Sequence, residues 1–160
     1  MKKTIAVLLC LIFSFSSKAE MIENTEMLSL YAEQKSQTRV LMSELNKVMK
    51  TTEAVFDLAK YMDGVTPEVV AISKHLLQIK ERADELYGKS PTITPFSSCR
   101  TLTGIAYSYW LTKLQSLKSE NDKHLDEAFR QYNKSAKECS KQIKTPPPKM
   151  VQELQIIDVP

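Results

Sequence analysis

The chain is 160 residues long with a formal net charge of +3. Lys2, Lys3 and Lys18 supply three of its 22 basic residues from a stretch without acids, so the remainder balances 19 basic against 19 acidic side chains. That balance argues against nucleic acid or an anionic membrane as partner, since either needs a clustered basic excess. A total of three glycines argues against a turn-rich β-sandwich and a Gly-rich phosphate cradle.

Residues 1–19 read as a secretory signal peptide. Lys2 and Lys3 form a positive start, and Ile5 to Phe15 an apolar run too short to span a bilayer. Ser17 and Ala19 are the small residues of a cleavage site, with the cut after Ala19. Leu9 stands where a lipoprotein site needs a small residue before its cysteine, so Cys10 is expected to leave with the leader. No later stretch is apolar enough to insert in a membrane. The Met-Lys-Lys start looks bacterial, which makes the expected destination the periplasm or the exterior, an oxidising space.

Residues 20–145 are expected to form one helical domain, because apolar residues recur every three or four positions throughout. The first stripe runs Met27, Leu30, Gln34, Thr38, Leu41, Leu45, Val48, Thr52, Val55, Ala59, Met62. Thr51-Thr52 leaves open whether this is one helix or two, and Asp63-Gly64 ends it with a glycine stop. Thr66-Pro67-Glu68 starts the next helix as cap, first position and dipole-matched acid, and Val65 and Val70 have the spacing of a hydrophobic staple. Its stripe is Val69, Ile72, Leu76, Ile79, Ala83, Leu86, and Gly88 stops it. A loop over 89–98 follows, with Ser97 or Ser98 expected to cap a third helix to about 118. The fourth runs from about 121 to 144 on Leu125, Ala128, Phe129, Tyr132, Ala136, Cys139 and Ile143. Thr145-Pro146-Pro147-Pro148 breaks it, and 146–160 reads as a proline-rich spacer and an extended C-terminal tail.

The expected fold is therefore all-α: a four- or five-helix bundle of two antiparallel hairpins, 22–87 and 98–144, with a long first helix. Cys99 and Cys139 have their midpoint at 119, inside the polar run Lys118–Lys123. A hairpin turning there sets the two level on facing stripes, which predicts a disulfide worth roughly 3–4 kcal/mol.

The third helix is apolar over most of its circumference. Tyr107, Trp110, Leu111 and Leu114 widen its arc, either as core or as a partly exposed partner-binding face. Gly104 and Ser108 sit four apart, the spacing for close approach of another helix. In the tail, Ile156 and Ile157 belong to a segment suited to pairing with a partner's sheet edge.

Chemistry is sparse. His75 and His124 would stand roughly 8–9 Å apart along the axis of alternating helices, so no shared metal or haem is expected. The acidic residues near 81–85 and 120–127 alternate with bases as solvated helix faces do, and no catalytic signature occurs. No cofactor, metal or catalytic residue is expected. The function this suggests is that of a non-enzymatic envelope protein that binds another protein: an inhibitor or immunity protein against a toxin or cell-wall hydrolase, or a component of a secretion or conjugation assembly. The alternatives are a small-ligand or sensor bundle, with its site near Gly104 and Ser108, and a haem or metal carrier or enzyme. The oligomeric state stays open.

Overall fold

The computed structural model describes residues 21–62, 64–88, 94–118 and 122–152. The leader and the tail beyond Gln152, with Ile156 and Ile157, lie outside them. The order is β1 (Met21–Glu23), α1 (Thr25–Tyr61), α2 (Pro67–Tyr87), α3 (Ser97–Ser116), α4 (Asp122–Lys144) and β2 (Met150–Gln152).

There are four helices, not five, among these residues, because α1 is unbroken for 37 residues, about 55 Å. Thr51 and Thr52 do not break it: their hydroxyls donate to the carbonyls of Val48 and Met49, both at 2.7 Å, inside the same helix. Gly64 is not a left-handed stop either. Met62 occupies the helix end, the Gly64 N–H reaches the Ala59 carbonyl at 3.1 Å, and of the three glycines, all described, only Gly88 has a positive φ, 78°. α2 starts as its sequence demands, with Thr66 accepting from the Val69 N–H at 3.4 Å and Pro67 in the first turn. The expected Val65–Val70 staple leaves both side chains on the surface.

α3 departs from the serine cap. Phe96 holds the N-cap position without a side-chain bond. It is instead a buried plug, stacked on Tyr31 at 5.1 Å and tilted against Tyr87 at 6.2 Å. The free Ser98 N–H is taken by Gln142 Oε1 of α4 at 2.9 Å, and Gln142 Nε2 donates to Ser97 Oγ at 3.1 Å. A side chain 44 residues away thus satisfies an amide that a local cap would otherwise serve.

Direction follows from the cross-contacts. Gln34 Nε2 donates to the Leu86 carbonyl at 3.0 Å while Glu44 pairs with Arg82 and His75, so α1 and α2 are antiparallel. Arg100 binds Asp84 and Trp110 binds Ser73, so α3 reverses again. Cys99 and Cys139 are bonded, with S–S 2.08 Å and Cα–Cα 4.5 Å, and Tyr109 stacks on Tyr132 at 5.7 Å, which sets α4 antiparallel to α3. α3 touches all three other helices; α4 rests mainly on α3.

The core joins Leu41, Leu45 and Val48 of α1, Val69, Leu76 and Ile79 of α2, and Leu102, Ala106 and Trp110 of α3. The proline-rich spacer and extended tail expected over 146–160 is bonded to the start of the described chain as far as Gln152. Tyr31 OH donates to the Ile143 carbonyl at 2.8 Å, and Asn24 bonds the carbonyls of Lys149 and Pro148. β2 then pairs antiparallel with β1, Ile22 opposite Val151. Both ends of the described chain meet at one end of the molecule.

Candidate functional site

The face expected to bind a partner on α3 is largely interior. Trp110 is fully buried and its Nε1 donates to Ser73 Oγ at 2.8 Å, so it is a core anchor, not an exposed one. Tyr107 and Leu114 are half-buried against the core, and only Leu111 reaches the surface. The reason is geometric: a helix in contact with three others has little circumference left for solvent. Gly104 admits no close helix packing, since a Cβ there would meet nothing within 4 Å. Ser108 is exposed beside a groove of about 440 Å³ whose walls include Thr112, Gln115, His124, Glu127 and Gln131. Most of its walls are polar residue types, not those of the apolar cavity a small-ligand site would favour.

Titratable groups make structural pairs. Glu44 accepts from His75 Nε2 at 2.9 Å and from Arg82 Nη1 at 2.7 Å, and these bonds, the His75 one foremost, hold its carboxyl below the usual glutamate range. Asp84 lies between Lys80 and Arg100 at 2.9 Å each, and is likewise lowered, by Lys80 first. Burial pushes the Tyr87 hydroxyl up to about 12, partly offset by its bond to Thr38. Lys113 is buried at 4% side-chain exposure, paired with Glu53 of α1, its ammonium 4.8 Å from the centre of the Phe56 ring. Its sequence signal is a cation inside the apolar arc between Trp110 and Leu114. Among the described residues no three His, Cys, Asp or Glu side chains gather as a metal site would need.

Exposed apolar side chains gather elsewhere, at the tip where α1 turns into α2, with a smaller group of Met21, Ile22 and Met150 on the β1–β2 ribbon. Tyr61 is 86% exposed, Val65 76%, Met62 60% and Val70 56%, with Leu58 beside them. Two depressions flank Val65. A shallow one holds Leu58, Met62 and Pro67. The other, a cleft of about 110 Å³, is walled by Val65, Val69, Leu114 and Leu117, with Lys60 and Lys118 also lining it. Leu114 alone among the expected binding residues reaches this site. The tip was hidden in the sequence because Met62 continues the α1 stripe and Val65 and Val70 have staple spacing. It becomes visible only once Met62, Val65 and Val70 are seen to face solvent.

No helix among the described residues is long and apolar enough to cross a membrane, and the disulfide fits an oxidising compartment. Compared with models of protein families, with curated proteins and with solved structures, the chain has no significant match.

Proposed function

We propose that the protein is a non-enzymatic, secreted or periplasmic four-helix bundle of two antiparallel hairpins that binds another envelope protein through the tip of α1 and α2. One observation carries this reading: five large apolar side chains stand exposed around the turn from α1 to α2 of a disulfide-bonded scaffold, and Leu58, Met62 and Val65 share one depression there. A group of exposed apolar side chains of this kind often marks an interaction site. Tyr61 is the natural anchor, a rigid ring with a polar end. The residues that could do chemistry, Glu44, Asp84 and Lys113, are each engaged in a salt bridge. An inhibitor or immunity protein and a component of an export assembly both suit a knob of this kind.

The test is a photo-crosslinking residue at position 61 in cells, with position 115 as control. The expected result is one discrete adduct from position 61, lost on Val65→Asp. Equal labelling from 61 and 115, or an adduct indifferent to Val65→Asp, overturns the assignment of the tip.

A further inference from the structure

We propose that the outer face of α4 is a docking surface for an anionic lipid bilayer, held there by a stripe of exposed lysines. The proposal is independent of the role of the α1–α2 tip.

Charge distribution is the first argument. Bases and acids balance over the chain after residue 19, which speaks against such a partner, but the balance fails locally. Residues 130–149 carry six bases and one acid, Glu138, while the remainder carries thirteen bases and eighteen acids. Within α4, Arg130, Lys134, Lys137, Lys141 and Lys144 follow at steps of four, three, four and three. At helical pitch all five fall within about 80° of the circumference, along about 21 Å of axis. All five are exposed. Cys139, buried and bonded to α3, lies on the opposite side of the helix, so the stripe faces outward. Arg130 pairs with Glu127, but among the described residues no salt bridge engages the four lysines. Lys137, Lys141 and Lys144 line one shallow depression with Asn133 and Ser140.

Shape is the second argument. A helix laid on a plane touches it along one line, and the bases occupy that line. A flat array of phosphate headgroups can therefore meet all five at once. A nucleic-acid strand fits less well, since it is held in a groove with aromatic rings to stack on. The stripe is convex, and its aromatic neighbours Phe129 and Tyr132 turn instead toward Tyr109 of α3. Four of the five bases are lysines, which act as point charges and not as forks for a single phosphate. Each base near an anionic bilayer strengthens binding about fivefold. A sixth, Lys149, follows the stripe and precedes Met150, which is exposed on the ribbon with Met21 and Ile22. Apolar side chains at the end of a basic stripe add interfacial burial to the attraction.

Co-sedimentation with vesicles tests this, on the chain from Glu20 onward with its disulfide intact. It should pellet with phosphatidylcholine vesicles that contain phosphatidylglycerol and not with phosphatidylcholine alone, and rising salt should release it. Lys137→Glu with Lys141→Glu should weaken binding at least about tenfold at unchanged helicity and melting temperature, and Lys137→Arg with Lys141→Arg should retain it. Lys47→Glu with Lys50→Glu makes the same charge change at exposed positions of α1 and should cost less than about threefold. Equal loss from the two Glu pairs, or equal binding to phosphatidylcholine alone, overturns the proposal. So does loss with Val65→Asp but not with the α4 Glu pair, which would move vesicle binding to the tip. Failure to pellet with anionic vesicles overturns it as well, and retention on heparin in that case would make a soluble polyanion the partner.

Discussion

Gly88 and Gly104 make opposite demands on their backbones. Gly88 follows α2 at φ 78°, ψ 167°, a conformation a side chain strains against. Gly104 is inside α3 with open space where a Cβ would go. Gly88→Ala should therefore destabilise by about 1–3 kcal/mol, and Gly104→Ala should stabilise by about 0.5–1 kcal/mol, both read from urea midpoints at unchanged slope. The second result would also dispose of the close-packing role that the Gly104/Ser108 spacing suggests. Asp84 sets an acid limit. Its folded value lies below the ordinary 3.8 through Lys80 and Arg100, so its stabilisation is complete above about pH 4 and is lost as pH falls through the folded value. Asp84→Asn should flatten that part of the stability profile. Tyr87 works in the other direction: with a folded value of about 12, its contribution holds below pH 10 and disappears between 10 and 12. Neither pairing is legible in sequence, because Asp84 meets Arg100 across a loop and Tyr87 meets Thr38 from 49 residues away.

At the level of elements, α4 is the most weakly embedded helix. Among its described side chains only Ser135 and Cys139 are buried. The disulfide to α3 is its firmest attachment, and Cys99→Ser should cost roughly 3–4 kcal/mol. Native-state hydrogen exchange on that variant should show α4 opening at lower free energy than α2. Equal protection of the two helices would mean that the Tyr109–Phe129–Tyr132 cluster holds α4 unaided. Truncation after Lys144 should leave cooperative melting intact, because β2 covers none of the core, yet residues 21–24 should lose protection with their partner strand. The hairpin and the disulfide were legible because helical period and a midpoint are local arithmetic. The Gln142 cap and the three-residue ribbon were not: each joins segments 44 or more residues apart and leaves no alternation to read.

At the scale of the whole molecule, the surplus of apolar residues was visible in sequence and its location was not. Counting α3 alone, Tyr107 and Trp110 look like more than one helix can bury. With α1, α2 and α4 around it, that surplus becomes the interior. The exposed group sits instead at the turn from α1 to α2, where the direction each side chain faces decides exposure, not composition. Tyr61→Ser should leave thermal stability within about 0.5 kcal/mol of the parent, because the ring is almost fully exposed. It should abolish partner capture all the same; a fall in melting temperature would show that the ring supports the fold.

The ribbon also decides how the protein answers a pull. Met21 and Gln152 face each other across β1 and β2, so tension applied through the two ends loads the strand bonds one pair at a time and opens them like a zip. The ribbon should give way first, at low force, and the helices after it. The Cys99–Cys139 link then withholds the 40-residue separation it spans, about 130–145 Å of contour length, until a reductant is added. An oxidised molecule under load is a short tether, and a reduced one a long tether.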